Sequence, residues 1–529
     1  MKQQAMQLWR EAEQALSAGD LAKATRLYNE LTPSAEMAPH AHLRLSLMAD
    51  QRKSLRDATA EALKAMDAAY PDPDLPTMLC KRLLVVGEHL MARGCAVLLM
   101  QRSKPNAGHC AELGKLMSDH MEVDVALPLL QRAASLGLAN SAAIRYLIGL
   151  NAMYIGENAR AQAELERALE LEPGFHLAYW TLSKLGNAAG RSNRISAITA
   201  LLADLPEGHP DAPILGYSLF HELDAQDEAE RAWPVLVTAM QRRRHQVQHD
   251  SNADDLLHAS IESAWRDFAA PDASDIQAES TPIFVVGMPR TGTTLVDREL
   301  SRATGATSVG ELRDFFVQMR WMADLSGPWS LDQTLISNAE SIAMPELGQR
   351  YVSHTDWRSL GASYYTDKWP DNYKVAGWIR SSIRDARIVS VHRDPMDACF
   401  SNLKEWFAGA YAYSYDIHET AKQYARYEKL LEAYHRGAPR LSARVRYEDL
   451  VANPADTIDE LTATLGLENN VAETARTTEV PVKTASAVQV REGIHGRNVG
   501  SWKRYASQLA PMQEALEKAG YSTSSDAER

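Results

Sequence analysis

The chain has 529 residues, 45% of them hydrophobic and 24% charged, with a formal net charge of −13 at pH 7. That length exceeds what one ordinary core organises, so two or more domains are expected, and the composition fits a folded globular protein. The acidic balance argues against nucleic acid or an anionic membrane as a broad partner and leaves room for a local basic pocket.

Cys80, Cys95, Cys110 and Cys399 form no CxxC pair or other metal spacing, which points to a reducing compartment without a disulfide frame. The N-terminal stretch MKQQAMQLWREAEQALSAGD is amphipathic and lacks the apolar run of a leader. No stretch reaches 18 apolar residues, so no membrane span is expected. A cytoplasmic protein is the expectation.

Residues 1–265 are rich in Ala and Leu at helical spacing and nearly free of strand-like runs. A period of 34 runs through them. Gly156 marks a turn between two helices, Ala161 and Ala168 are small packing positions, and Pro173 ends the second helix. Adding 34 to Gly156 gives Gly190, and adding it twice to Ala161 gives Ala229. Near the start Gly19, Ala24 and Tyr28 repeat the offsets of Gly156, Ala161 and Leu165. Small residues at such positions let paired helices approach, and each pair buries its open face on the next. The pattern resembles tetratricopeptide repeats, degenerate between about 40 and 140; a plain all-helical domain is the alternative.

Residues 266–280 are polar and rich in Ala, Asp and Ser, as in a linker. From 281 to 529 the grammar changes. The β-branched runs 283-IFVV-286, 388-IVSV-391 and 444-RVRY-447 alternate with helical segments, which predicts a parallel sheet wrapped by helices.

The loop G-M-P-R-T-G-T-T over 287–294 directly follows the first of these strands and opens a helix. Strand, loop and helix in that order make a phosphate cradle, with backbone N–H groups and the positive helix end facing an anion. A nucleoside-triphosphate loop carries Lys before its last hydroxyl residue; here Thr293 stands in that place. Arg290 supplies instead a planar, permanently charged fork suited to a tetrahedral oxyanion. About 100 residues on, 388-IVSVHRDPMDACFSNLKEW-406 ends a strand at His392 and starts a helix at Asp394-Pro395. Arg393 at the strand end and Ser401 two turns into that helix can converge on a second phosphate.

Strand–PRTGTT–helix, HRDP with Ser401, and the late GRNVGSWKRY together resemble the sulfotransferases that use 3′-phosphoadenosine 5′-phosphosulfate. Within them the tyrosylprotein group is most similar, over roughly residues 281–510. The resemblance implies a P-loop-like α/β domain and assigns Arg290, Thr291, Gly292, Thr293 and Thr294 to the 5′-phosphosulfate. It assigns Arg393 and Ser401 to the 3′-phosphate and Tyr447 to the nucleotide. Two positions depart from the family pattern: a family arginine falls on Glu405, leaving Lys404 as its substitute, and a family lysine falls on Ser501, leaving Arg497 or Lys503.

Sulfuryl transfer needs a base for the acceptor hydroxyl and neutralised charge on the transferring oxygens. Glu311, after a strand-like run ending at Gly310, matches the catalytic base of the tyrosylprotein group. No histidine lies between His258 and His354 to serve as an alternative. A helix cap at Leu312 is the competing role for Glu311. Lys368 matches the lysine that stabilises the bridging oxygen, and Ser486, 16 residues before Trp502, matches a serine near the sulfate. No metal is implied. The expected acceptor is a hydroxyl, a protein tyrosine among the candidates, recruited by the helical repeats as a protein or peptide. Other readings are a nucleotide-dependent kinase on the same scaffold and a repeat-based binding protein with an inactive domain.

Overall fold

The computed structural model describes residues 2–66, 74–101, 105–186, 190–266, 279–437, 441–468 and 493–523. Up to residue 266 the described chain is helical throughout. Paired helices begin at residues 2 and 21, 38 and 55, 75 and 89, 107 and 123, 142 and 158, 176 and 191, and 212 and 229. The spacing expected from the glycine and alanine pattern is therefore present, and it continues through 40–140, where the sequence pattern fades.

Local chemistry sets these helices. Asp20, Asn106 and Ser141 cap helix starts by accepting backbone N–H groups with their side chains. Gly156 ends its helix in the left-handed region at φ 87°, a conformation that Gly19 and Gly190 share at the equivalent turns. Ala24, Ala161 and Ala168 are fully buried, as close helix contact requires.

After Ser280 five strands appear: β1 (Thr281–Gly287), β2 (Thr307–Gly310), β3 (Tyr364–Asp367), β4 (Arg387–His392) and β5 (Ser442–Arg446). They form one parallel sheet in the order β2-β3-β1-β4-β5. Ile283, Val285, Val389, Val391 and Val445 bury one face beneath helices Thr293–Thr304 and Pro454–Leu465. β3 is only four residues long, and two of its three buried side chains, Thr366 and Asp367, are polar. Tyr447 starts a short helix, and β5 stops one residue before it.

The chain forms two compact units that do not follow covalent order. One comprises Met1–Ala139 with Arg313–Thr355, the other Asn140–Leu312 with Asp356–Arg529. In the first, Asp324 accepts the backbone N–H of Arg56 at 2.8 Å, and the Arg56 guanidinium lies 5.1 Å from the Trp321 ring centre. In the second, the helices from Ala142 to Arg266 belong to the same body as the sheet. Arg244 meets Glu419 at 2.8 Å and Arg426 meets Asp255 at 2.7 Å. The ring contacts Trp180–Tyr217, Tyr217–Trp406 and Trp406–Tyr415 run through the same body. Among the described residues no helix is long and apolar enough to cross a membrane.

This arrangement sets an expectation for truncation. A fragment beginning at residue 270 leaves Glu419 and Arg426 without their partners and exposes Trp406 and Tyr415. Its circular-dichroism melt should lose the unfolding transition of the unit Asn140–Leu312 with Asp356–Arg529, or shift well below it, whereas retention of the full-chain transition would show that the helices contribute no stability.

Candidate functional site

The loop 287–294, Glu311, Lys368, the Arg393 segment and Tyr447 lie at the carboxyl ends of the strands. β1 and β4 are neighbours, with β3 and β2 on one side of them and β5 on the other. That is the point where strand order reverses and a crevice opens in a parallel α/β sheet. The loop after β1 and the Arg393 segment after β4 flank it together.

The loop after β1 turns on Thr291, whose hydroxyl donates to the carbonyl of Met288 at 2.7 Å. Arg290 takes φ 67°, a left-handed conformation that a non-glycine residue holds only when its surroundings impose it. Those surroundings come from the second motif. Arg393 Nη1 donates to the Arg290 carbonyl at 2.9 Å, and Asn402 Nδ2 donates to the Pro289 carbonyl at 2.7 Å. Gly292 follows at φ 107°, and a β-carbon there would lie 2.5 Å from the Tyr447 ring. Thr293 and Thr294 then begin the helix Thr293–Thr304 and are nearly inaccessible.

Arg393 gathers the remaining groups. Its Nη1 also reaches Ser401 Oγ at 3.2 Å, its Nη2 donates to the carbonyl of Asn498, and its guanidinium lies 4.7 Å from the Tyr447 ring centre. The residue is 7% exposed, and its Nε is buried with no hydrogen-bond partner. An orphaned guanidinium nitrogen in a buried site is costly unless an acceptor occupies the space beside it. The segment Gly496–Tyr505 is tied down by Asp397, which accepts from Gly500 N at 2.5 Å, Ser501 Oγ at 3.2 Å and Trp502 N at 3.3 Å. Ser501, where the family pattern has lysine, thus serves as an anchor. Arg497 and Lys503 stand exposed on the same segment.

Glu405, where the family pattern has arginine, is 3% exposed and ion-paired. Its Oε2 lies 2.7 Å from Lys184 Nζ and 3.5 Å from Arg290 Nε. Lys404 beside it is pushed down to about 8 by burial, with Arg393, Arg290 and Lys184 adding to the effect and Asp224 opposing it. Cations therefore outnumber the carboxylates here.

A second cluster forms at the ends of β2 and β3. Lys368 Nζ contacts Glu311 Oε1 at 2.6 Å; the lysine is 1% exposed. The backbone fixes both residues: Lys368 N donates to the Gly310 carbonyl at 2.8 Å, and Asp367 accepts from Leu312 N at 3.3 Å and Trp369 N at 3.2 Å. The next helix, Asp314–Met322, has Arg313 at its N-cap position and no side-chain cap, so Glu311 does not cap it. Asp297 is fully buried, accepts from Thr366 and Ser308, and is pushed up by that burial. Ser486 lies outside the described residues.

The structure thus brings Arg290, Gly292, Arg393, Ser401 and Tyr447 to one crevice, and pairs Glu311 with Lys368 at the neighbouring strand ends. The family model described as the sulfotransferase family matches residues 282–471. These residues carry a sulfotransferase-family domain. An uncharacterised protein of Aquifex aeolicus is 25% identical over 323 residues, 57% of this chain. The match spans only 41% of that relative's length. Among solved structures, the sulfotransferase domain from the curacin biosynthetic pathway is 13% identical, covering 46% of this chain and 99% of its own, at a TM-score of 0.30. Sulfotransferase STF1 of Mycobacterium tuberculosis is 16% identical, covering 62% of this chain and 98% of its own, at 0.28. YrrB, a TPR protein with a peptide-binding site, is 18% identical, covering 38% and 97%, at 0.28. Likenesses of that size add nothing to the geometry of the site.

Three residues of the sulfotransferase-family domain gain roles that the sequence did not signal. Asp397 was visible only as a helix-start acid, Asn402 as an ordinary helix residue, and Asp367 as the neighbour of Lys368. Their function as anchors needs the partners that folding supplies. Gly292→Ala tests the loop. A β-carbon there meets Tyr447, and the positive φ alone costs about 1–3 kcal/mol, so a lower melting temperature and weakened nucleotide binding by calorimetry are expected. Wild-type values for both would mean that the loop and ring tolerate displacement.

Proposed function

We propose that the protein is a sulfotransferase that moves the sulfuryl group of 3′-phosphoadenosine 5′-phosphosulfate to a hydroxyl acceptor. The observation that carries this reading is the convergence at one switch-point crevice of Arg290, Arg393 and Ser401, with a buried Arg393 nitrogen lacking a partner. Two anion subsites built from different strand ends suit a donor with phosphates on both its 3′ and 5′ positions. Arg290, Thr291, Gly292, Thr293 and Thr294 hold the 5′ end, through a guanidinium and the helix N-terminus. Arg393 and Ser401 hold the 3′-phosphate, Tyr447 faces the nucleotide, and Arg497 and Lys503 add positive charge from the Gly496–Tyr505 segment. The residues need no metal for these tasks.

In this scheme Glu311 takes the proton of the acceptor hydroxyl while its oxygen bonds to sulfur. The bond between sulfur and the 5′-phosphate oxygen breaks, and the sulfate ester and 3′,5′-bisphosphate nucleotide leave. Lys368 neutralises the charge that grows on the departing phosphate. Its contact with Glu311 at 2.6 Å links the two tasks. As the ammonium moves toward the donor oxygen, the carboxylate is freed to accept a proton. A glutamate in this position resembles the tyrosylprotein group, which favours a tyrosine hydroxyl, and the helical pairs offer a surface for the peptide that carries it. A kinase reading is disfavoured by Thr293 at the position a triphosphate loop reserves for lysine.

The reading is tested by calorimetry and turnover together. Adenosine 3′,5′-bisphosphate should bind and raise the melting temperature, with about 2.7 kcal/mol of stabilisation at a hundredfold excess over Kd, while ATP with magnesium should do so weakly or not at all. Glu311→Gln should then lower sulfuryl transfer by about 10²–10⁴-fold with nearly unchanged nucleotide affinity, the usual worth of a general base. Preference for ATP with magnesium, or a stable Glu311→Gln variant with full turnover, would overturn the assignment.

A pH dependence follows from Lys404. It is cationic below about pH 8 and neutral above it. It faces Arg393, Arg290, Lys184 and Asp224, of which the arginines keep their charge across this range. Bisphosphate affinity should therefore fall by about tenfold as pH rises from 7 to 9, the scale of one charge-assisted contact. The Lys404→Met variant should bind more weakly at pH 7 and show a flatter profile; an identical slope would assign the titration elsewhere.

A further inference from the structure

The helices before the linker reach the donor crevice by two contacts. Lys184, at the end of helix His176–Leu185, contacts Glu405 Oε2 at 2.7 Å. His221, in helix Ala212–Asp224, lies with Nε2 2.8 Å from the carbonyl of Lys404. Two consecutive residues after the Ser401 helix are thus gripped from two separate helices. Trp180 stiffens the grip: Lys184 Nζ lies 5.1 Å from its ring centre, and the His221 ring meets it edge-on at 5.3 Å.

The charge pattern gives the grip a purpose. Glu405 is a buried carboxylate in a crevice whose ligand is anionic, and an unneutralised acid there opposes binding. It shares one oxygen, Oε2, between Lys184 at 2.7 Å and Arg290 Nε at 3.5 Å. The shorter pairing is with lysine. With Lys184 present, the carboxylate is neutralised chiefly from the helical side, and its pull on the Arg290 guanidinium is the longer, weaker contact. Without it, Arg290 is the one cation left of the two on that oxygen, and the buried acid draws it out of the loop. Leaving such a charge unpaired in a desolvated site is strongly unfavourable.

We propose, building on the sulfotransferase reading, that Lys184 is a positioning residue of the donor site: it neutralises Glu405 so that the acid does not pull Arg290 out of the loop that receives the 5′-phosphosulfate. Glu405 then acts as an adaptor through which a helix of the N-terminal half becomes part of the nucleotide site.

The test uses the full chain and adenosine 3′,5′-bisphosphate as the probe, with Lys184→Gln, Glu405→Gln and the double variant. Lys184→Gln should weaken binding by about 10- to 100-fold, the range for loss of one charge-assisted contact. Glu405→Gln should bind at least as tightly as wild type, because the competing acid is gone. The double variant should recover to within a few-fold of wild type, a rescue that a merely structural role for Lys184 does not predict. Melting curves of all three show that the comparison is between folded proteins. Equal affinity of Lys184→Gln and wild type, or a double variant as weak as Lys184→Gln, would overturn the inference while leaving the donor assignment intact. Absence of bisphosphate binding by the wild-type chain would instead overturn the donor assignment and this inference with it.

Discussion

The Arg393 guanidinium is the constraint on which the arrangement at the ends of β1 and β4 depends. One side chain donates to the Arg290 carbonyl, meets Ser401, donates to the Asn498 carbonyl and lies over Tyr447. It therefore joins the loop after β1, the helix after β4, the turn after β5 and the late Gly496–Tyr505 segment. Such a hub is possible because β1 and β4 are adjacent and parallel, so their carboxyl ends open on the same side of the sheet. It is also costly in isolation, since a buried guanidinium must have its donors satisfied. The bonds to main-chain carbonyls meet most of that demand. One nitrogen, Nε, is left buried without a hydrogen-bond partner.

Around that hub the structure uses carboxylates as anchors more than as reactive groups. Asp397 is fully buried and receives two N–H donors and one hydroxyl; Asp367 receives two N–H donors. Glu405 receives an ammonium and a guanidinium. Each closes a loop that would otherwise have to be held by entropy-costly contacts alone. Glu311 is the exception: its side chain is 30% exposed while its lysine partner is sealed.

The two departures from the family pattern, Glu405 and Ser501, have physical explanations rather than being losses. Ser501 is short enough to join the Asp397 anchor, which a lysine could do only by burying its charge beside that carboxylate. Glu405 exchanges a local cation for one delivered from a distant helix.

Period and motif were legible in the sequence because they rest on local rules. Gly19, Gly156 and Gly190 announce turns through φ, alanines announce helix contact, and strand–loop–helix with Arg290 announces an anion cradle. HRDP with Ser401 announced the meeting of Arg393 and Ser401 for the same reason: eight residues on a strand end and helix have a nearly fixed geometry. What the sequence could not determine was everything set by strand order and by which distant segment packs where. β3 hides its strand character because Thr366 and Asp367 are polar positions buried for anchoring. Lys184 and Glu405 are 221 residues apart, and no periodicity links them. The assignment of 313–355 to a body with the first 139 residues is likewise invisible in a linear pattern. Local backbone preference acts over a few residues and can be read off the chain; ion pairing and core burial act through space, and only the tertiary fold decides them.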